Sequence, residues 1–156
     1  YIFSDIGYNF LPSEISAAFG LEQLKKLKKN IFIRRKNFNL ITKLLKKINN
    51  FIDLPETTSG VSTAWLPYPF AIKHGKKYSR KNLQIFLEKN KIQTRTIFTR
   101  NILKQPLMKN KKYKINNNCG ANSDEIMKNG ILIGCHQGMK RSEISFTCKK
   151  IIEFFK

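Results

Sequence analysis

The sequence predicts a mixed α/β domain of the α+β kind: long helices first, then a small sheet covered by helices. Three observations predict it. Residues 13–52 carry apolar side chains at helical spacing, and the chain from residue 63 onward alternates short β-rich runs with helical ones. The third is that 41% of the 156 residues are hydrophobic and 12% aromatic, which excludes disorder. A chain of this length buries ~70% of the surface its unfolded form exposes, so one domain with a real core is expected. No apolar run approaches the ~18 residues of a membrane span.

Residues 1–12 read as an extended or looped segment. Leu11-Pro12 disfavours helix just before Ser13, a good N-cap, and Glu14 suits the positive first turn. Helix is expected from there to about Asn50, with Leu24, Leu27, Ile31, Phe38, Ile41, Leu45 and Ile48 on one stripe and Asn30 as a break between two helices. Residues 53–63 are a polar, turn-rich loop. Thr63–Lys73 reads as a strand, which Pro67 and Pro69 confine to an edge, a bulge or an irregular start. Ser79 caps a helix whose apolar face is Leu83, Phe86 and Leu87, and the alternation of Ile92–Phe98 predicts a second strand. Residues 99–121 form a long loop rich in Lys and Asn. A short helix opens at Ser123-Asp124-Glu125 and ends near Asn129-Gly130. A buried strand, Ile131–Gly134, and a turn at Cys135–Gly138 follow. A last helix over 142–155 carries Ile144, Cys148, Ile151 and Phe155 on one stripe.

The formal net charge is +20, and 24 of the 30 basic residues are Lys. Lys is heavy together with Ile (20) and Asn (15), the pattern of compositional bias, whereas phosphate-reading and base-reading surfaces favour Arg. The charge is also spread along the whole chain. A small basic nucleic-acid-binding module is therefore the second reading and bias the first. The chain begins at Tyr1 with no basic segment followed by an apolar one, which reads as a fragment or processed chain without a signal peptide. The three widely spaced cysteines, Cys119, Cys135 and Cys148, argue against a disulfide framework and for a reducing cytoplasm.

Composition and spacing supply no catalytic set. There is no Gly-rich phosphate loop and no nucleophile elbow. His74 lies in a turn beside a Lys run. His136 follows a buried strand, where it either contributes to a site or simply bonds the turn backbone. Cys135 beside His136 is too few ligands for a metal, and Cys148 reads as core.

Three segments are more specific: Gly7-Tyr8-Asn9-Phe10 ahead of the capped helix; Thr94-Arg95 with Phe98-Thr99-Arg100-Asn101 and Gln105-Pro106; and Asn122-Ser123-Asp124 leading into GILIGCHQGM. Singly, Asn9 could be a turn former, Arg95 a surface charge and Gln105-Pro106 loop punctuation. In this order they resemble the DegT-type sugar aminotransferases, vitamin-B6 enzymes acting on nucleotide-linked keto sugars. The similarity runs from Gly7 to the end. GYNF with SEISAAFGLEQL is its most specific part, and FTRNILKQP and NSDEIMKNGILIGCHQGM are closer to the 3-dehydrase branch of lipopolysaccharide sugar synthesis.

The resemblance implies the C-terminal domain of a type I pyridoxal phosphate (PLP) transferase fold: a loop with the GYN motif (1–12), connecting helices (13–52) and a small α/β domain (63–156). It implies cofactor contact by Asn9, with Tyr8 beside it, and a nucleotide-linked keto sugar near Arg95, Asn101, Gln105 and His136. It implies a homodimer in the intact parent and PLP or its pyridoxamine form as cofactor. The catalytic Lys or His, and any iron–sulfur cysteines, belong upstream, so the chain is expected to be inactive alone or to serve as a non-catalytic partner. Leu11 and Leu103 stand where the family often has a basic residue and a His; the second departure weakens an aminotransferase reading.

Overall fold

The computed structural model describes residues 12–73, 77–97, 101–114 and 120–156. Tyr8, Asn9, His74 and Cys119 lie outside them.

Between Glu14 and Leu45 the chain has no proline and a single glycine, and it forms one 32-residue helix, α1 (Glu14–Leu45), ~48 Å long. The break expected at Asn30 is absent. An asparagine inside a helix costs only ~0.7 kcal/mol relative to alanine, too little to interrupt it. The apolar stripe divides instead. Phe38, Ile41 and Leu45 are buried, whereas Leu24 is 63% and Leu27 47% exposed. A 3₁₀ turn (Lys46–Ile48) follows.

The sheet has four strands in the order β1-β2-β4-β3, every pair antiparallel: β1 (Ile52–Asp53), β2 (Pro67–Ile72), β3 (Thr94–Thr96) and β4 (Gly130–Gly134). Strand β1 falls where the sequence reads as the start of a loop. Strand β2 is interior despite its two prolines, and the pairing explains why. Lys73 N–H donates to the Phe51 carbonyl at 2.9 Å, so odd-numbered residues of β2 turn their backbone groups toward β1. That strand reaches only Ala71 and Ile72. Pro67 and Pro69 face the side beyond its end, where a missing N–H costs nothing.

One face of the sheet is the core. Tyr68, Phe70, Ile72, Ile131 and Ile133 bury against α1 and the last helix, α4 (Arg141–Phe154), whose Ile144, Cys148 and Ile151 occupy the expected stripe. Phe38 stacks on Trp65 at 4.4 Å between ring centres and meets Tyr68 at 4.9 Å. Burial pushes the Tyr68 phenol up to about 12, although its hydroxyl bonds Thr42 Oγ1 at 3.0 Å. Helix α2 (Arg80–Lys89) is capped as expected: Ser79 Oγ accepts the Asn82 N–H at 3.2 Å. Helix α3 (Ala121–Asn129) begins two residues before the expected start and leads straight into β4. A Cβ at Gly130 would strike the Ile126 carbonyl and come within 2.7 Å of Ile97, so only glycine permits this tight helix-to-strand transition.

Candidate functional site

The opposite face of the sheet carries Arg95. Side chains alternate along a strand, so Pro67, Pro69 and Ala71 of β2, Leu132 and Gly134 of β4, and Arg95 of β3 share this face, with Arg95 directly across from Leu132. Arg95 is exposed and lines a shallow depression of about 640 Å³ with Gln84, Gln93 and Leu132. A second hollow of about 630 Å³ lies at the end of β4, lined by Lys91, Ile92, Gln93, His136, Ser142 and Phe146 among others. Gln93 lines both, so the depression of Arg95 and the hollow of His136 adjoin at the β3 edge.

His136 is held on both sides. Its Nδ1 accepts the Gly138 N–H at 3.1 Å, and its carbonyl accepts from Asn37 Nδ2 at 2.9 Å. With Nδ1 as acceptor, the neutral imidazole carries its proton on Nε2, which is left as a donor. A Cβ at Gly138 would lie 3.2 Å from His136 Nδ1, so a glycine there lets the ring close onto the turn. The neighbouring residues are tied to the same stretch of α1. Arg34 Nε donates to Gln137 Oε1 at 2.8 Å, and the Cys135 thiol lies 3.7 Å from the Arg34 carbonyl. Asn37, a buried polar residue within a helix, and Arg34 thus fix the turn that displays His136.

Asn101 and Gln105 sit elsewhere. Asn101 Oδ1 accepts the Leu103 N–H at 3.1 Å and caps a 3₁₀ turn (Ile102–Lys104), and Gln105 precedes another (Pro106–Met108). An ion pair from Lys104 to Asp124 ties this loop to the first turn of α3. Neither residue lines the hollow that holds His136.

Burial pushes the Cys135 thiol up to about 11 and the Cys148 thiol to about 12, so neither supplies a thiolate nucleophile near neutral pH. Among the described residues no group of three or more His, Cys, Asp or Glu could hold a metal, and no helix is long and apolar enough to cross a membrane. Gln93 and Lys91 were missed from sequence. The alternation that reveals β3 also places Gln93 on the face of Arg95 and was the signal available.

The model of the DegT/DnrJ/EryC1/StrS aminotransferase family matches residues 1–152. Lipopolysaccharide biosynthesis protein RfbH of Salmonella typhimurium is 32% identical over 99% of this chain and 35% of its own length. GDP-4-keto-6-deoxy-D-mannose 3-dehydratase of Escherichia coli O55:H7 is 36% identical over 90% of this chain and 35% of its own. The chain therefore spans about a third of these relatives. The solved structure of the E. coli 3-dehydratase with bound hydrated PLP superposes with a TM-score of 0.85 and 34% identity, over 97% of this chain and 38% of that one. PseC of Helicobacter pylori, an aminotransferase of pseudoaminic acid biosynthesis, shares the fold at 18% identity and a TM-score of 0.82. The mixed helix-and-sheet fold is thus that of part of a PLP-dependent aminotransferase-type enzyme, and the chain belongs to the DegT/DnrJ/EryC1/StrS aminotransferase family.

Proposed function

We propose that this chain is the C-terminal part of a PLP- or pyridoxamine-phosphate-dependent 3-dehydratase acting on a nucleotide-linked 4-keto-6-deoxy sugar for lipopolysaccharide synthesis. In this reading it is catalytically silent alone and works within a homodimeric parent. The observation that carries it is the 34% identity at a TM-score of 0.85 to a 3-dehydratase, across 97% of the chain. The buried thiols support it too: Cys135 and Cys148 supply no thiolate near neutral pH.

The described hollow does not fit the cofactor. The N-terminus of α4, the place for a phosphate there, is already taken by a carboxylate, since Glu143 Oε2 accepts the Lys140 N–H at 2.7 Å. Phosphate contact falls instead to Asn9, with Tyr8 beside it, by the family resemblance. When bound in the parent, the cofactor supplies an electron sink. The chain's own contribution is positioning. The Arg95 guanidinium holds oxyanions of the sugar nucleotide, His136 offers its Nε2–H, and Asn101 and Gln105 shape the loop at the cleft mouth.

The test is complementation. The 156-residue chain alone, supplied with cofactor and GDP-4-keto-6-deoxy-D-mannose, is expected to show no elimination. Mixed with the E. coli enzyme trimmed of its matching segment, it is expected to restore turnover. Elimination by the chain alone, or a stable but inactive mixed complex, overturns the reading.

A further inference from the structure

We propose that the seam between α1 and α4 is a docking groove for a helix of another protein, a helix apolar on one face and acidic along its flanks. The inference does not rest on the catalytic reading above. The two helices cover the core face of the sheet, so their outward seam is separate from the face that carries Arg95.

Two hollows lie in the seam, each with one wall from either helix. One, of about 470 Å³, lies between Ile33, Lys36 and Leu40 of α1 and Met139 and Arg141 at the start of α4. The other, of about 360 Å³, lies between Leu44 and Lys47 at the end of α1 and Ser145, Cys148 and Ile152 of α4. Leu40 to Leu44 and Arg141 to Ser145 are each one helical turn, so the hollows follow one another along the seam. From Ile33 to Lys47 the seam extends ~21 Å, the length of four helical turns.

The floor is apolar and the lips are basic. Leu40, Leu44, Met139 and Ile152 pack against the core on one side and remain half-buried, open to the groove on the other. Phe32 stands at one end, 68% exposed. Lys36, Arg141, Lys47, Lys149 and Lys156 line the same hollows and are all exposed. The one acid in the lining, Glu153, is paired with Lys150 at 3.0 Å. The chain's overall charge accounts for the number of lysines, but not for their place on both lips of an apolar trough.

That arrangement selects the occupant. Recessed apolar side chains between basic lips complement a helix with leucine-like residues at i, i+3 or i+4 and i+7, flanked by Asp or Glu. A bilayer fits less well, because a flat surface meets the lips and does not reach a recessed floor. A second copy of this chain sets lysine against lysine, at a net charge of +20 each.

The test titrates the folded 156-residue chain, by amide-resolved NMR, with a synthetic helical peptide of ~16 residues, four turns or more, with Leu on one face and Glu on its flanks. Saturable shifts of Leu40, Leu44, Ser145 and Ile152 below ~1 mM peptide are expected. Lys47→Glu combined with Lys149→Glu, both exposed and outside the core, should weaken binding ~10-fold at an unchanged urea midpoint. Replacing the peptide's leucines by Gln should abolish the shifts, which tests the floor without altering this chain. No saturable shift in the seam overturns the proposal. Equal shifts from a peptide of the same composition with its leucines dispersed also overturn it, since that is charge binding without a groove. So does tighter attachment to phosphatidylglycerol vesicles that the double reversal abolishes, which makes the seam a membrane face. Self-association through the seam at rising chain concentration without peptide does the same, because the occupant is then a second copy.

Discussion

At the scale of residues, the site rests on two side chains that touch no ligand in this arrangement. Asn37 and Arg34 hold the turn of His136 from α1. Asn37→Ala removes the donor to the part-buried His136 carbonyl, and should cost about 0.5–1.5 kcal/mol in a urea melt. A loss below a few tenths would mean that the bond does not hold the turn. The buried thiols give a second expectation. Burial raises Cys135 from 9.0 to about 11 and Cys148 from 9.0 to about 12. The native state therefore holds these protons more tightly than the unfolded chain. Their contribution is complete below pH ~9 and is lost as pH rises through the folded values. The urea midpoint should fall as pH rises from about 9 to about 11, and less so in Cys148→Ala. A midpoint that rises over that interval contradicts the assignment.

Elements were legible from sequence where local chemistry alone decides them. Ser79 caps α2, and the stripe of Ile144, Cys148, Ile151 and Phe155 is buried as spacing requires. Legibility ended where tertiary pairing decides. That β2 is interior with two prolines depends on how short β1 is, and no periodicity in β2 reports that. The stripe of α1 gave no sign of where its burial begins, because Leu24 and Leu27 are as apolar as Ile41 and Leu45. In the structure Ile15, Phe19, Leu21 and Leu24 are all more than 60% exposed. A helix half with so few packed contacts opens locally. Hydrogen exchange is expected to be fast over residues 14–30 and slow over 37–45. Equal protection of both halves would show that the first half is covered in solution.

At the scale of the whole molecule, the +20 charge does not resolve into a single surface. The described ion pairs, Lys25–Glu22, Lys73–Asp53, Lys104–Asp124 and Lys150–Glu153, are mostly exposed, each worth ~0–1 kcal/mol. Arg95 and Lys91 line adjoining depressions that share Gln93, the second of them holding His136. Half of that surface was visible in sequence. Arg95 and His136 stood out as polar groups at strand positions, but their connection through Gln93 depends on the antiparallel pairing of β3 with β4.

The central claim is that this chain forms the substrate-positioning part of a nucleotide-sugar 3-dehydratase. The most direct measurement replaces the matching segment of the E. coli GDP-4-keto-6-deoxy-D-mannose 3-dehydratase with residues 1–156 and follows steady-state elimination, with and without Arg95→Ala. The account predicts turnover by the chimera and a fall in kcat/KM of ~10-fold or more on Arg95→Ala, at unchanged cofactor absorbance. A folded, cofactor-loaded chimera that turns nothing over, or one indifferent to the loss of Arg95, would contradict it.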